Sequence, residues 1–221
     1  MAGIPHHAAI FYIKKLLKNK QTVVICEQEN EAIKENNLIK RSVKKILTPG
    51  TLVEEEYQEE NETNTTTCIY KNKTTYHLSS INISLGEFFT NEVYNNLELI
   101  SKIEEINPSE IIITQNLDIK ILLHKFYINK INNKINYKQA YKILKNNIKN
   151  NNEIIEKKIY KNTIISAGII YDYALKTQNC KLNHITKINF INNEKYITFG
   201  PNTIKHLEIF INKNNEKENT L

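Results

Sequence analysis

The glycines, carboxylates, histidines and cysteines set the limits on what chemistry this 221-residue chain can do. A loop that cradles nucleotide phosphates needs glycines spaced so that backbone N–H groups converge on the anion. The five Gly, at 3, 50, 86, 168 and 200, form neither GxxxxGK nor GxGxxG, so a nucleotide site of that kind is absent from this chain. A two-metal nuclease needs several clustered carboxylates. Asp118 and Asp172 are the only aspartates, and most Glu fall in one acidic run or on polar helix faces. His6 and His7 are adjacent, but neighbours on a helix point in different directions and neither has a nearby Cys or Asp. His77, His124, His184 and His206 are isolated. Cys26, Cys68 and Cys180 are widely spaced and odd in number, which supports reduced thiols rather than a disulfide framework or a zinc knuckle. Catalysis finds no assembled site here. Binding has one candidate: Lys40, Arg41, Lys44 and Lys45 cluster at the start of a strand, where they could meet phosphates. Alternation puts Val43 and Lys45 on one strand face and Lys44 on the other.

The chain carries a net charge of +6 and a pI near 9.0, a balance that favours an anionic partner such as nucleic acid. Ile, Asn and Lys nevertheless account for 37, 33 and 29 residues, against a single Arg and no Trp. That skew fits an A+T-rich genome and supplies lysines regardless of function. Distribution says more: residues 1–53 hold nine Lys and Arg against four Glu, whereas residues 54–62 hold six Glu and no base. The acidic run reads as an exposed joint between units. No apolar run approaches membrane-spanning length and the start lacks the pattern of a signal peptide, so the expected location is cytoplasmic, with no membrane partner.

The elements that must position these residues follow from periodicity. Ala9, Ile13, Leu16 and Leu17 predict an amphipathic helix over 6–19, followed by strands at 22–28 and 42–52, the second closed by Pro49-Gly50. This order reads as the tail of an α/β unit. Beyond the acidic joint, strands are expected on both sides of a reversal at Asn72-Lys73, with alternation at Ile81, Ile83 and Leu85. Leu97, Ile100, Ile103 and Ile106 predict a helix ended by Asn107-Pro108, and a buried strand follows at 109–114. Helices are expected over 117–126, 137–149 and 163–178, the last apolar on almost every face and therefore central to its domain. Strands at 184–191 and 194–199 and a helix from Pro201 complete the pattern. Residues 54–182 hold the complete strand and helix inventory and form the expected stable unit, with looser flanks.

Six segments, in order, resemble one family. AGIPHHA opening a helix, the strand ending in CEQ and the TPGT turn at 48–51 are similar to the mismatch-binding domain of the MutS family. SINISLGEFF, NPSEIII, the helix ISAGIIYDYALKTQ with its exit through Leu182-Asn183-His184, and FGPNTIKHLEIF resemble the segments that follow in that family. Departures are local: Glu29-Asn30-Glu31 replaces an acidic-Pro pair, Asn183 replaces a Pro, and Gly200 stands where the last motif opens with Asp.

The resemblance implies an α/β fold in three pieces. Residues 1–53 would be the C-terminal part of a mixed α/β mismatch-recognition domain, 54–182 a ribonuclease-H-like connector domain, and 183–221 the beginning of a helical core. It implies a part in DNA mismatch repair within a parent protein that senses mispaired bases using ATP and Mg. No cofactor is expected in this chain, because the family's base-stacking wedge and ATPase lie outside the matched segments. The implied partners are duplex DNA, bound weakly and without regard to mismatches, a MutL-like protein on the connector, and a second subunit through regions not matched here. Met1, Arg41, Lys44 and Lys45 are the implied DNA-contacting positions. Two other readings stay open: a connector-type protein-interaction module without DNA function, and, by fold analogy alone, a ribonuclease-H-type nuclease.

Overall fold

A computed structural model describes residues 3–28, 34–35, 38–39, 41–52, 64–73, 75–114, 117, 125–132, 135–149 and 160–191. The acidic run, Met1, Lys40, most of the 117–126 segment, the strand at 194–199 and the last helix lie outside the described residues.

The first unit is small. Helix α1 (His6–Lys18) is followed by strands β1 (Val23–Gln28), β2 (Lys34–Glu35), β3 (Leu38–Ile39) and β4 (Arg41–Leu47). β1 and β4 pair antiparallel, as do the two-residue β2 and β3. Among the described side chains of α1, Ile13 and Leu17 alone are buried, against Leu47 and Leu52, with Ala9, Val23 and Ile25 at the margin. Leu16, expected on the buried face, is exposed. The i, i+4 pair fills the short contact that a two-stranded sheet offers, and a third position has nothing to cover it.

The second unit is a three-layer sandwich. Strands β5 (Thr65–Asn72), β6 (Thr75–Asn82), β7 (Glu87–Val93), β8 (Glu110–Ile113), β9 (Ile128–Lys130) and β10 (Asn189–Ile191) form one sheet in the order β10-β7-β6-β5-β8-β9. β5, β6 and β7 run antiparallel, while β8 joins β5, β9 joins β8, and β10 joins β7 in parallel. Helix α2 (Asn96–Ile106) covers one face through Leu99 and Ile103, over Ile69, Leu78, Val93 and Ile111. Helices α3 (Tyr137–Asn147) and α4 (Lys161–Gln178) cover the other, over Cys68, Ile81, Phe88 and Ile112. Helices on both faces of a mixed sheet bury both of its sides. This is the ribonuclease-H-like α/β arrangement expected.

Three local expectations are corrected. The run at 74–89, expected to alternate as one strand, holds two in its described part: Asn82 Oδ1 accepts the Leu85 N–H, Gly86 takes φ +69°, and the chain turns. Leu85 therefore sits on the turn, 65% exposed, and leaves the alternation that Ile81 and Ile83 keep. Leu97 is 78% exposed, because the helix is set by Leu99 and Ile103 and Leu97 falls off that stripe at its first turn. The strand expected over 184–191 pairs only at Asn189–Ile191; before it, the His184 ring Nε2 donates to the Ile83 carbonyl at 2.7 Å and pins the β6–β7 turn instead.

Candidate nucleic-acid interface and the joint behind it

β4 carries the basic residues. Its pairing with β1 sets Val23 opposite Leu47, Ile25 opposite Lys45, and Cys26 opposite Val43. The register slips between Ile25 and Cys26, so Lys44 is the extra residue of a bulge with no partner across the ladder. The expected strict alternation around Lys44 does not hold, since Val43 and Lys44 are both exposed while Lys45 is half-buried. Arg41 is exposed at the start of the strand, opposite Gln28. Lys44 Nζ lies 3.9 Å from Glu27 Oε2, a solvated pair of little strength that leaves the ammonium open to a stronger anion. Lys14 and Lys15 are exposed on α1 of the same unit. Arg41, Lys44 and Lys45 thus share one strand, and Met1 lies outside the described residues.

Directly after β4, the turn at 48–51 is buried in the second unit. Glu110, first residue of β8, is fully buried, and its two oxygens accept four hydrogen bonds. Oε2 takes the Thr48 hydroxyl at 2.5 Å and the Gly50 N–H at 3.3 Å, both from the turn. Oε1 takes the Tyr173 hydroxyl of α4 at 2.7 Å and the Asn129 side-chain amide of β9 at 3.0 Å. Burial, reinforced by the Glu110 charge, holds the Tyr173 hydroxyl well above the ordinary tyrosine range, so it stays a donor at any physiological pH. The turn's own carbonyls are met as well. Thr66 Oγ1 donates to the Gly50 oxygen at 2.7 Å, Gln178 Nε2 to the Thr51 oxygen at 2.5 Å, and Ser84 Oγ to the Leu52 oxygen at 3.1 Å.

Gly50 is required by this approach. A Cβ there would stand 2.4 Å from Thr66 Oγ1 and 2.7 Å from the Glu110 Cβ. Gly168 similarly lets α4 touch α3, where a Cβ would meet that of Ala140 at 2.5 Å. Gly86 serves the turn beside His184. These glycines are spent on packing and turning, and do not fit a phosphate cradle. Among the described residues no group of three or more His, Cys, Asp or Glu could hold a metal ion, and no helix is long and apolar enough to cross a membrane.

The motifs containing Thr48, Gly50, Glu110, Tyr173 and Gln178 are legible in the sequence, and their meeting is not. One signal pointed to it: a glutamate opening the strand Glu-Ile-Ile-Ile must be paired if that strand is buried.

Comparison with known proteins places this geometry in context. Residues 1–56 match the family model described as MutS domain I, and residues 64–186 match MutS domain II. A protein named DNA mismatch repair protein MutS from Caldanaerobacter subterraneus subsp. tengcongensis is 31% identical over 236 residues, covering 100% of this chain and 26% of the relative. Proteins of the same name from Caldicellulosiruptor bescii and Acetivibrio thermocellus are 28% and 30% identical, each over 95% of this chain and 24% and 25% of their own length. The chain spans about a quarter of the length of these relatives.

Proposed function

The chain belongs to the MutS family of DNA mismatch repair proteins, and on that footing we propose that it serves mismatch repair by holding duplex DNA and linking that hold to a connector domain. Residues 1–53 act as the DNA-facing end of the recognition domain and 54–182 as the body of the connector, whose sheet β10 (Asn189–Ile191) completes at its edge before the core begins. The observation that carries this is the exposed basic strand beside a turn seated in the connector. Arg41, Lys44 and Lys45, with Met1 ahead of them, meet backbone phosphates, which fix position but carry no base information. A MutL-like protein docks on the connector, ATP and Mg act elsewhere in the parent protein, dimerisation uses other regions, and the setting is the cytoplasm.

The test is salt-dependent binding to a matched duplex and to its G·T twin. Lys44→Ala with Lys45→Ala should weaken both by the same factor and flatten the log–log salt slope by about one to two units. An unchanged slope, or a loss confined to the mismatched duplex, sinks the reading.

A further inference from the structure

The acidic run at 54–62 reads as an exposed joint and the pieces flanking 54–182 as loosely held, and boundaries between domains are ordinarily crossed by few contacts. The residues just before that run contradict a loose joint. Thr48, Gly50 and Thr51 are buried, and five hydrogen bonds tie residues 48–52 to four separate parts of the second unit. The bonds end on β5 through Thr66, on the β6–β7 turn through Ser84, on β8 through Glu110 and on α4 through Gln178. Contacts to four non-collinear elements fix rotation as well as position.

We propose that Glu110 is the keystone of a rigid joint, so that the basic β1–β4 hairpin and the connector sheet turn as one body with Glu110 as the positioning residue. Its carboxylate divides its work by oxygen. Oε1 is held by Asn129 and Tyr173 within the connector, which aims Oε2 at Thr48 and Gly50 of the turn. Swinging the hairpin away strips two donors from a buried carboxylate and leaves three turn carbonyls to find water. A buried acceptor without its donors is costly, so the alternative orientation is sparsely populated. Gly50 sets the tolerance: the turn seats only because no side chain separates it from Thr66 and Glu110. The inference concerns the geometry of the chain and stands whether or not the hairpin meets DNA.

The native cysteines allow a direct measurement on the full chain. Cys26 is exposed on β1 and Cys180 is exposed just beyond α4, so a spin label on each reports the distance between hairpin and connector. Cys68 is fully buried in β5 and escapes labelling. Pulsed electron resonance should give one narrow distance population in the wild type. Thr48→Val removes one donor without adding bulk to the connector, and should at least double the width. Gly50→Ala should broaden it further or shift its centre. Tyr173→Phe removes one of the two bonds that aim Oε2 while Asn129 keeps the other, and should broaden the distribution by clearly less than Thr48→Val; broadening equal to that of Thr48→Val would mean a general loosening of the connector and overturns Glu110 as the positioning residue. Amide exchange across β1–β4 and β5–β6 is read alongside, so that broadening is scored only with both sheets protected. A broad wild-type distribution, or widths unchanged in Thr48→Val and Gly50→Ala, overturns the proposal.

Discussion

His77 sits in the middle of β6 with almost no exposure, its Nδ1 3.1 Å from the Thr163 hydroxyl and its Nε2 3.2 Å from that of Thr75. Two hydroxyls can satisfy either neutral tautomer, whereas a second ring proton would place a charge in a site that water does not reach. Burial accordingly lowers its pKa to about 4. Glu92, 3.9 Å away on β7, offers little relief, since burial raises its own pKa. The sign of the pH dependence follows. Above the ordinary value of about 6.5 the ring is neutral in both states. Between there and about 4 the unfolded chain takes up the proton and the folded chain does not, so stability is lost as pH falls through that window. Glu92 acts in the opposite sense over its own titration, because its folded form holds the proton longer. Unfolding free energies from urea titrations at stepped pH should fall more steeply for wild type than for His77→Asn between pH 6.5 and 4, by at most about 1.4 kcal/mol per pH unit. Parallel profiles would mean that His77 is protonated in the fold.

Among the elements, α4 has the least choice about where it lies. Twelve of its eighteen residues are buried, on every side, from Ile164 and Ile165 through Tyr171 to Gln178. A helix with so narrow a polar edge must be largely enclosed, and α4 is packed by the sheet, by α3 and by β4, while Lys161 and the Asp172–Lys176 pair stay toward solvent. It meets α3 at Gly168 and Ala140, where two small residues bring the backbones together. α3 could not hold that position as a frayed segment. Asn136 accepts the Gln139 N–H at 3.0 Å and Gln139 returns a bond to the Asn136 N–H at 2.9 Å, a reciprocal cap on its first turn. Gly168→Ala should raise helix propensity by up to about 1 kcal/mol yet lower stability, because overpacking costs about 1–3 kcal/mol. Thermal melts should show the loss, and Ala140→Gly in the same chain should recover part of it. A stabilised Gly168→Ala would mean that α3 moves aside freely.

At the scale of the molecule, what matters is whether the two units behave as one. Among its described residues the small unit buries four clustered apolar side chains, a core that cannot supply much stability alone. Its Leu47, Thr48, Thr51 and Leu52 are buried where the hairpin runs into the connector. The stable unit expected at 54–182 therefore leaves out a turn that the structure seats against it. Unfolding in urea of a Cys180→Ser chain, followed by a dye at Cys26 and by circular dichroism of the whole chain, should give coincident transitions. An earlier transition at Cys26 would show a hairpin that holds itself apart.

Elements whose cause is local are legible in the chain alone. Period and spacing were enough for α1, α2, α3 and α4, for β5 and β6 on either side of Asn72-Lys73, and for β8 as a buried run, while ordered motifs sufficed for the family. Where a neighbour in space decides, the chain was silent or misleading. Leu85 and Leu97 are apolar residues at plausible spacing that nothing covers, and the bulge at Lys44 depends on the register of β1. The joint is the clearest case. Thr48 and Glu110 are 62 residues apart, Tyr173 is another 63 beyond, and no local rule brings them together. Only when β8 lies beside β5, and α4 crosses that sheet toward β4, does a carboxylate that must be paired find the turn, the amide and the hydroxyl that pair it.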